Sequence, residues 1–505
     1  MTEADVDATA AETASLSDGA PSTAFLGAAV ATAVLAALIV PGYPPGVGVT
    51  ASLLLIGATL LSAVRSRLDL WGWCCAALVG VLAVMPTVRA AEWLIALDVL
   101  AVGALGSLAL ARARRGGDVL IGLVGVALRA PRGAMLLIVS AARAAGRPAT
   151  ARQLRPLVRG VLLSVIALGI FGPLFISADD AFADLTSRLL FPDWLFTLLP
   201  LRVFTFAAVL LAIAAGLAVA EAPVRLRAAM GGGSGSLLEW LLPVVVLDAL
   251  FTAFVLVQLA VLFGGDDYVQ RTTGLSYASY ARQGFGQLLA VVVLTLVVIA
   301  VASRRVGAEP RARRQAQASL GVLCLLALVV LFSALHRLAL YEDAFGLTRL
   351  RVLAHTLGLL VGVLLVLVVV AGARWQASWL PRAVVLSTAV TLVVLNLVNP
   401  DQLIARRAVN RAARGRQVDA AYLATLSADA IPQLLRLPPA IRACALPALD
   451  DVPDGGWPGA NLARSKARRR LRRIGDMTGS GALESAQTGH LPGGHACSVV
   501  SHSSG

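Results

Sequence analysis

Charge is scarce in this chain. Only 14% of its 505 residues are Asp, Glu, Lys or Arg, against about a quarter in a soluble globular domain. That shortage excludes an ordinary soluble enzyme, and with so many apolar residues it also excludes a disordered protein. Lysine is nearly missing: Lys466 is the only one, and Arg supplies the remaining positive charge. We attribute that dominance to coding bias rather than chemistry. The five cysteines are Cys74, Cys75, Cys324, Cys444 and Cys497, with no CxxC pair. Neither a zinc site nor a redox motif is therefore expected. There is no GxSxG, HExxH, P-loop or dinucleotide fingerprint, so no catalytic residue, metal or cofactor is assigned. MGGGSGS at Met230 to Ser236 has no following Lys and reads as a loop. The segment Met1 to Ser22 has no basic n-region, so a cleavable signal peptide is not expected.

What the chain has is apolar length. Hydrophobic residues make up 58% of it, and the mean hydropathy is +0.80. A span needs ~20 apolar residues, because only a helix satisfies its own backbone across ~30 Å of hydrocarbon. Eleven blocks qualify: about 24–41, 46–64, 70–88, 91–111, 157–176, 202–220, 240–263, 285–302, 318–335, 353–372 and 383–399. The expected fold is all-α, a polytopic bundle of about eleven spans with a small helical C-terminal domain and a disordered tail. The expected organisation is a disordered 1–22, a four-span part 23–111 and an Arg-rich connector 112–156. A seven-span domain 157–400, a helical extramembrane domain 401–476 and a disordered 477–505 complete it.

The net charge is +14. On a soluble protein it would suggest nucleic acid, but the Arg lie between apolar blocks, as in topogenic loops, so no nucleic-acid partner is expected. Ten Arg fall between Arg112 and Arg159, and Arg304, Arg305, Arg311, Arg313 and Arg314 share one connector. By parity these and Arg65 and Arg67 lie on one side, which the positive-inside rule makes cytoplasmic. The N-terminus is then inside and the C-terminal region outside, in the cell membrane. Arg406, Arg407, Arg411, Arg414 and Arg416, just past the last span, pull the other way. Val119 to Leu128 and Ala134 to Val139 are too short to span. They read as interfacial helices, or as a packed cytoplasmic or re-entrant pair.

Four polar stretches end spans: LFISADDAFADL (Leu174 to Leu185), LSYASYARQGFGQL (Leu275 to Leu288), HRLALYEDAFGLTRLR (His336 to Arg351) and NPDQLIARRAVNR (Asn399 to Arg411). Parity places all four on the extracytoplasmic side. A fifth stretch, VDAAYLATLSADAIPQLL (Val418 to Leu435), has helical spacing, with a boundary at Ser427, Asp429 and Pro432. In order, these resemble the SAD-x-x-F-A, YA-x-YAR-x-GF, LY-x-x-x-GLT-x-LR, NPD-x-LIAR and YL-x-x-LS-x-DA-x-P motifs of a bacterial multi-spanning family, domain of unknown function 4173. Ser279 stands where that pattern has an acidic residue, Phe345 where it has Tyr and Ala408 where it has Asn. The resemblance implies an integral membrane protein and no established activity.

The candidate face is Asp179, Asp180, Tyr277, Tyr280, Arg282, Arg337, Tyr341, Glu342, Arg349, Arg351, Asn399 and Asp401. Arg binds oxyanions bidentately and Tyr offers a stacking face, so these residues could receive an anionic lipid, glycan or peptide. They equally suit an inter-loop salt-bridge network with an aromatic belt. Inside the spans, Asp248 is a candidate proton or cation site or a helix–helix hydrogen bond, because a mid-span carboxylate is costly. Asp98 sits nearer a span end and is expected to reach the interface. The functional expectation is an envelope interaction or sensory protein, with the residues leaning against an enzyme; its expected partners are the lipid bilayer, an anionic lipid or envelope component, and a membrane protein. A coupled small-solute transporter and a lipid-linked transferase using Asp179 and Asp180 are the alternatives.

Overall fold

The computed structural model describes residues 22–111, 116–144, 160, 167, 171, 198–221, 241–258, 285–306, 309–374, 377–447 and 451–478. Those residues are mostly helical, and nine of their helices are long and apolar enough to cross a membrane. The chain is an all-α polytopic helical protein. It divides into two compact units, 1–226 with 452–468, and 227–451 with 469–505. The block expected at 157–176 and the two expected disordered tails lie almost wholly outside the described residues.

In the first unit, α1 (Thr23–Ile39), α2 (Val47–Val64), α3 (Leu70–Val88) and α4 (Glu92–Ala111) are joined by short turns. α1, at 17 residues, is the shortest of them. Their lipid-like composition leaves little hydrophobic drive between them, so close contact and polar pairs hold them. Thr32 and Thr59 are hydrogen-bonded at 3.1 Å, and Thr87 donates to Thr50 at 2.8 Å. Asp98, expected at the interface, is instead fully buried at 0% exposure. It shares the inward face of α4 with Leu94, Val102 and Leu105, one helical repeat apart, so packing decides its place.

The connector forms one helix, α5 (Gly116–Ala144), continuous through Pro131. It meets α4 where Ser107 bonds both Gly122 O, at 2.6 Å, and Val126 N, at 2.9 Å. It next meets α6 (Leu199–Glu221), with Gly133 against the Ala214 and Ala215 backbone. Leu136 and Leu137 line one small cavity with Phe25 and Ala29 of α1 and Ile213 of α6. α5 thus packs chiefly along α6 and α4.

The second unit contains α7 (Leu241–Gln258), α8 (Phe285–Arg305), α9 (Pro310–Phe345), α10 (Arg349–Arg374) and α11 (Leu380–Val398). Its core includes Phe251, Val292, Leu323, Leu331 and Leu365. α9 has 36 residues, about 54 Å at 1.5 Å per residue, so it outlasts the hydrocarbon. Beyond α11 come α12 (Pro400–Ala413), α13 (Ala420–Ala424), α14 (Ile431–Leu434) and α15 (Pro439–Ala445). The helical stretch Val418 to Leu435 is therefore two short helices. The Ser427 amide is drawn to Asp401 at 2.8 Å, which interrupts the ladder between them.

One contact was not legible beforehand. Residues 458–464 return to the first unit. Val47 N donates to Ala460 O at 3.0 Å and Gly48 N to Pro458 O at 2.7 Å, so the orphan amides opening α2 find acceptors. Asn461 Nδ2 donates to the carbonyls of Pro86 and Arg89 at 2.8 and 2.7 Å, which serves the orphan acceptors closing α3. Its Oδ1 accepts from Ala463 N and Arg464 N and so caps α16 (Leu462–Thr478). Arg464 donates to Pro45 O and Gly459 O, both at 2.6 Å. A Cβ on Gly48 would lie 2.3 Å from Ile39 O and 3.1 Å from Pro458 O, so the fit needs glycine.

Candidate functional site

The sequence NPD at 399–401 builds the centre of the site. Asn399 has φ 55°, in the left-handed region that Asn tolerates better than most residues. The bend ends α11. Pro400 then opens α12, where its missing N–H costs nothing. The Asn399 side chain accepts from Gln402 N at 3.4 Å and donates to Asp429 Oδ1 at 3.0 Å. Asp401 follows on the buried face of α12, with Ile404, Ala405 and Ala408.

Arg349 opens α10, three residues after Gly346, which ends α9 with φ +81°. Its Nε donates to Asp401 Oδ1 at 2.9 Å and its Nη2 to Oδ2 at 2.6 Å. The Asp401 side chain is 0% exposed and that of Arg349 30%. Arg349 Nη2 also donates to Thr425 O at 3.0 Å, and Arg349 N to the Tyr422 hydroxyl at 2.7 Å. Burial pushes the Asp401 carboxyl up. The hydrogen bonds from Arg349 and Ser427 and the Arg349 charge more than offset it, and the carboxyl is held below the usual carboxylate range.

Around this pair the end of α9 is also tied down. Arg411 of α12 donates to Asp343 O at 2.7 Å and Ala344 O at 3.0 Å, and Arg416 donates to Asp343 O at 3.1 Å. These cations cap the last carbonyls of α9, the negative end of its dipole. Arg351 donates to Gly346 O, and its guanidinium lies 4.2 Å from the Tyr341 ring centre. Tyr341 and Phe345 rings are 4.9 Å apart. His355 Nδ1 and Glu342 Oε1 are paired at 3.1 Å. Further along, Gln258 Oε1 of α7 accepts from Arg337 at 2.5 Å and from Ser333 at 3.1 Å.

Seven of the sequence-derived face residues therefore belong to one unit: Arg337, Tyr341, Glu342, Arg349, Arg351, Asn399 and Asp401. Asp179, Asp180, Tyr277, Tyr280 and Arg282 lie outside the described residues. Sequence reasoning did not single out Tyr422, Ser427, Asp429, Arg411 or Arg416 as partners, and set His355 beside Glu342 only as an unsupported metal site. The signal for the first three was the fifth motif, whose polar positions were read as helix boundaries. Asp248 is hydrogen-bonded by Ser319 of α9 at 2.8 Å. No group of three or more His, Cys, Asp or Glu able to hold a metal occurs among the described residues.

Comparison with known proteins agrees with this picture at a coarse level. No curated protein and no solved structure matches the chain. A family model does match, and its number, 4153, differs from the 4173 that the motifs resembled. The kind of family, one defined without an assigned activity, is the same. The match runs over residues 74–437, from within α3 to just past α14, and includes the Arg349–Asp401 clamp. The chain belongs to the family described as Domain of unknown function (DUF4153).

Proposed function

We propose that this integral membrane protein is an envelope interaction or sensory protein that binds an anionic lipid, glycan or peptide on its extracytoplasmic face. The observation that carries the reading is the clamp. Arg349 and Asp401 satisfy each other, so they are the frame of the site. The clamp fixes α12 directly at the exit of α11, with Arg406 and Arg407 exposed on it and Arg414 exposed just past its end. Those three arginines are the ones that meet an oxyanion.

The test is purification of the full chain in mild detergent, with mass spectrometry of what co-elutes. The wild type is expected to retain an anionic component that R406Q/R407Q/R414Q loses. Equal retention by both overturns the reading. The outward orientation rests on Arg distribution; labelling of Asn410→Cys from the cytoplasmic side alone overturns it.

A second reading, a proton- or ion-coupled transporter, has one specific support. Asp248 lies within α7. Its Oδ2 takes the Ser319 hydrogen bond, and its Oδ1 is buried without a hydrogen bond from the described residues. An intramembrane carboxylate of this kind marks a pathway candidate. Solute or proton flux in vesicles should disappear in Asp248→Asn; unchanged flux removes the residue from any mechanism.

A further inference from the structure

The helix α16 is the most basic of the described elements. It carries Arg464, Lys466, Arg468, Arg469, Arg470, Arg472 and Arg473, against Asp476 alone. Two of these cations are engaged within the first unit. Arg464 donates to Pro45 and Gly459, and Arg468 donates to Val452 O and pairs with Asp454 at 3.5 Å. Lys466, Arg469, Arg470, Arg472 and Arg473 are exposed and make no ion pair among the described residues. Clustered like charges on one helix repel by a few tenths of a kcal/mol per neighbouring pair, so the sequence bears a cost that a polyanion would remove.

The structure also fixes the level at which this charge sits. Asn461 and Arg464 hold the start of α16 to main-chain oxygens at the ends of α2 and α3, both spans. The helix therefore begins where the hydrocarbon stops. Trp457 and Leu462 beside it are 65% and 44% exposed, which suits the headgroup zone. The nearest polyanion at that level is the lipid phosphate layer itself.

We propose that α16 is a lipid-binding element, pegged to the span ends by Asn461 and Arg464, whose five exposed cations bind the phosphates of anionic phospholipid headgroups. It uses different residues from those of the envelope-facing reading and does not depend on which leaflet is involved. Juxtamembrane clusters of this size respond to anionic lipid and are released by salt.

Hydrogen exchange of the full chain in nanodiscs tests it. The discs are phosphatidylcholine alone or phosphatidylcholine mixed with phosphatidylglycerol. Amides of 466–473 are expected to exchange about tenfold more slowly in the anionic discs, and high salt should erase the difference. In R469Q/R470Q/R472Q/R473Q the two disc types should agree while 458–461 keep their protection. A milder R469Q/R470Q variant should show a reduced difference. Equal wild-type exchange in both discs overturns the proposal. Protection by added RNA but not by phosphatidylglycerol overturns it in favour of nucleic acid.

Discussion

Arg349 holds Asp401 through both guanidinium edges, at 2.9 and 2.6 Å, across 52 residues of sequence. Removing one partner of a largely buried pair leaves the other charge uncompensated. Asp401→Ala should cost roughly 2–4 kcal/mol, seen as a lower thermal midpoint of the purified chain. Arg349→Lys should restore little, because an ammonium cannot form the fork. A midpoint unchanged in both variants refutes the clamp.

Acid should loosen the same pair. The folded Asp401 carboxyl titrates below its ordinary value. Its contribution is therefore complete above about pH 4, the unfolded value, and is lost as pH falls through the folded one. Stability measured against pH should fall on the acid side in the wild type. The Asp401→Asn profile should be flatter there, and superimposable profiles would contradict the assignment.

Asn399 combines a left-handed backbone with a cap. Asn399→Gly keeps the backbone and loses the cap; Asn399→Ala loses both. The expected order of stability is Asn, then Gly, then Ala, with Ala down by roughly 1–3 kcal/mol. Thermal unfolding reads this order, and Ala equal to Asn would mean that the bend is not constrained.

Gly48 sits under the returning segment. A methyl there would press on Ile39 O and Pro458 O. Gly48→Ala should release residues 458–464, giving faster proteolysis near Trp457, which is already 65% exposed. Asn461→Ala should do the same by stranding the Pro86 and Arg89 carbonyls. Unaltered cleavage in both variants would show that the docking is weak.

Much of the bundle could be read from hydropathy, because a span's length and composition are dictated by hydrocarbon thickness. The helices α2 to α4 and α8 to α11 correspond to expected blocks. The site was legible as a set of residues but not as a set of bonds. Arg349 and Asp401 both stood out as charges at a membrane edge, yet their pairing needs the αL turn at Asn399 and the Gly346 stop to act together. Asp98 was misplaced because distance from a span end says nothing about which neighbours cover a face. The return of residues 458–464 left no local trace, since its partners are backbone carbonyls and amides far away in sequence.

That return has a consequence for biosynthesis. The amides that open α2 acquire their acceptors from residues made about 400 positions later. At 5–20 residues per second, the ribosome delivers them roughly 20–80 s after α2 itself. The first spans are therefore made before the segment that closes them exists, and the Val47 and Gly48 amides wait for residues 458–460. A chain truncated before residue 458 would leave those two amides without these acceptors, so the opening of α2 depends on a segment far beyond it in sequence.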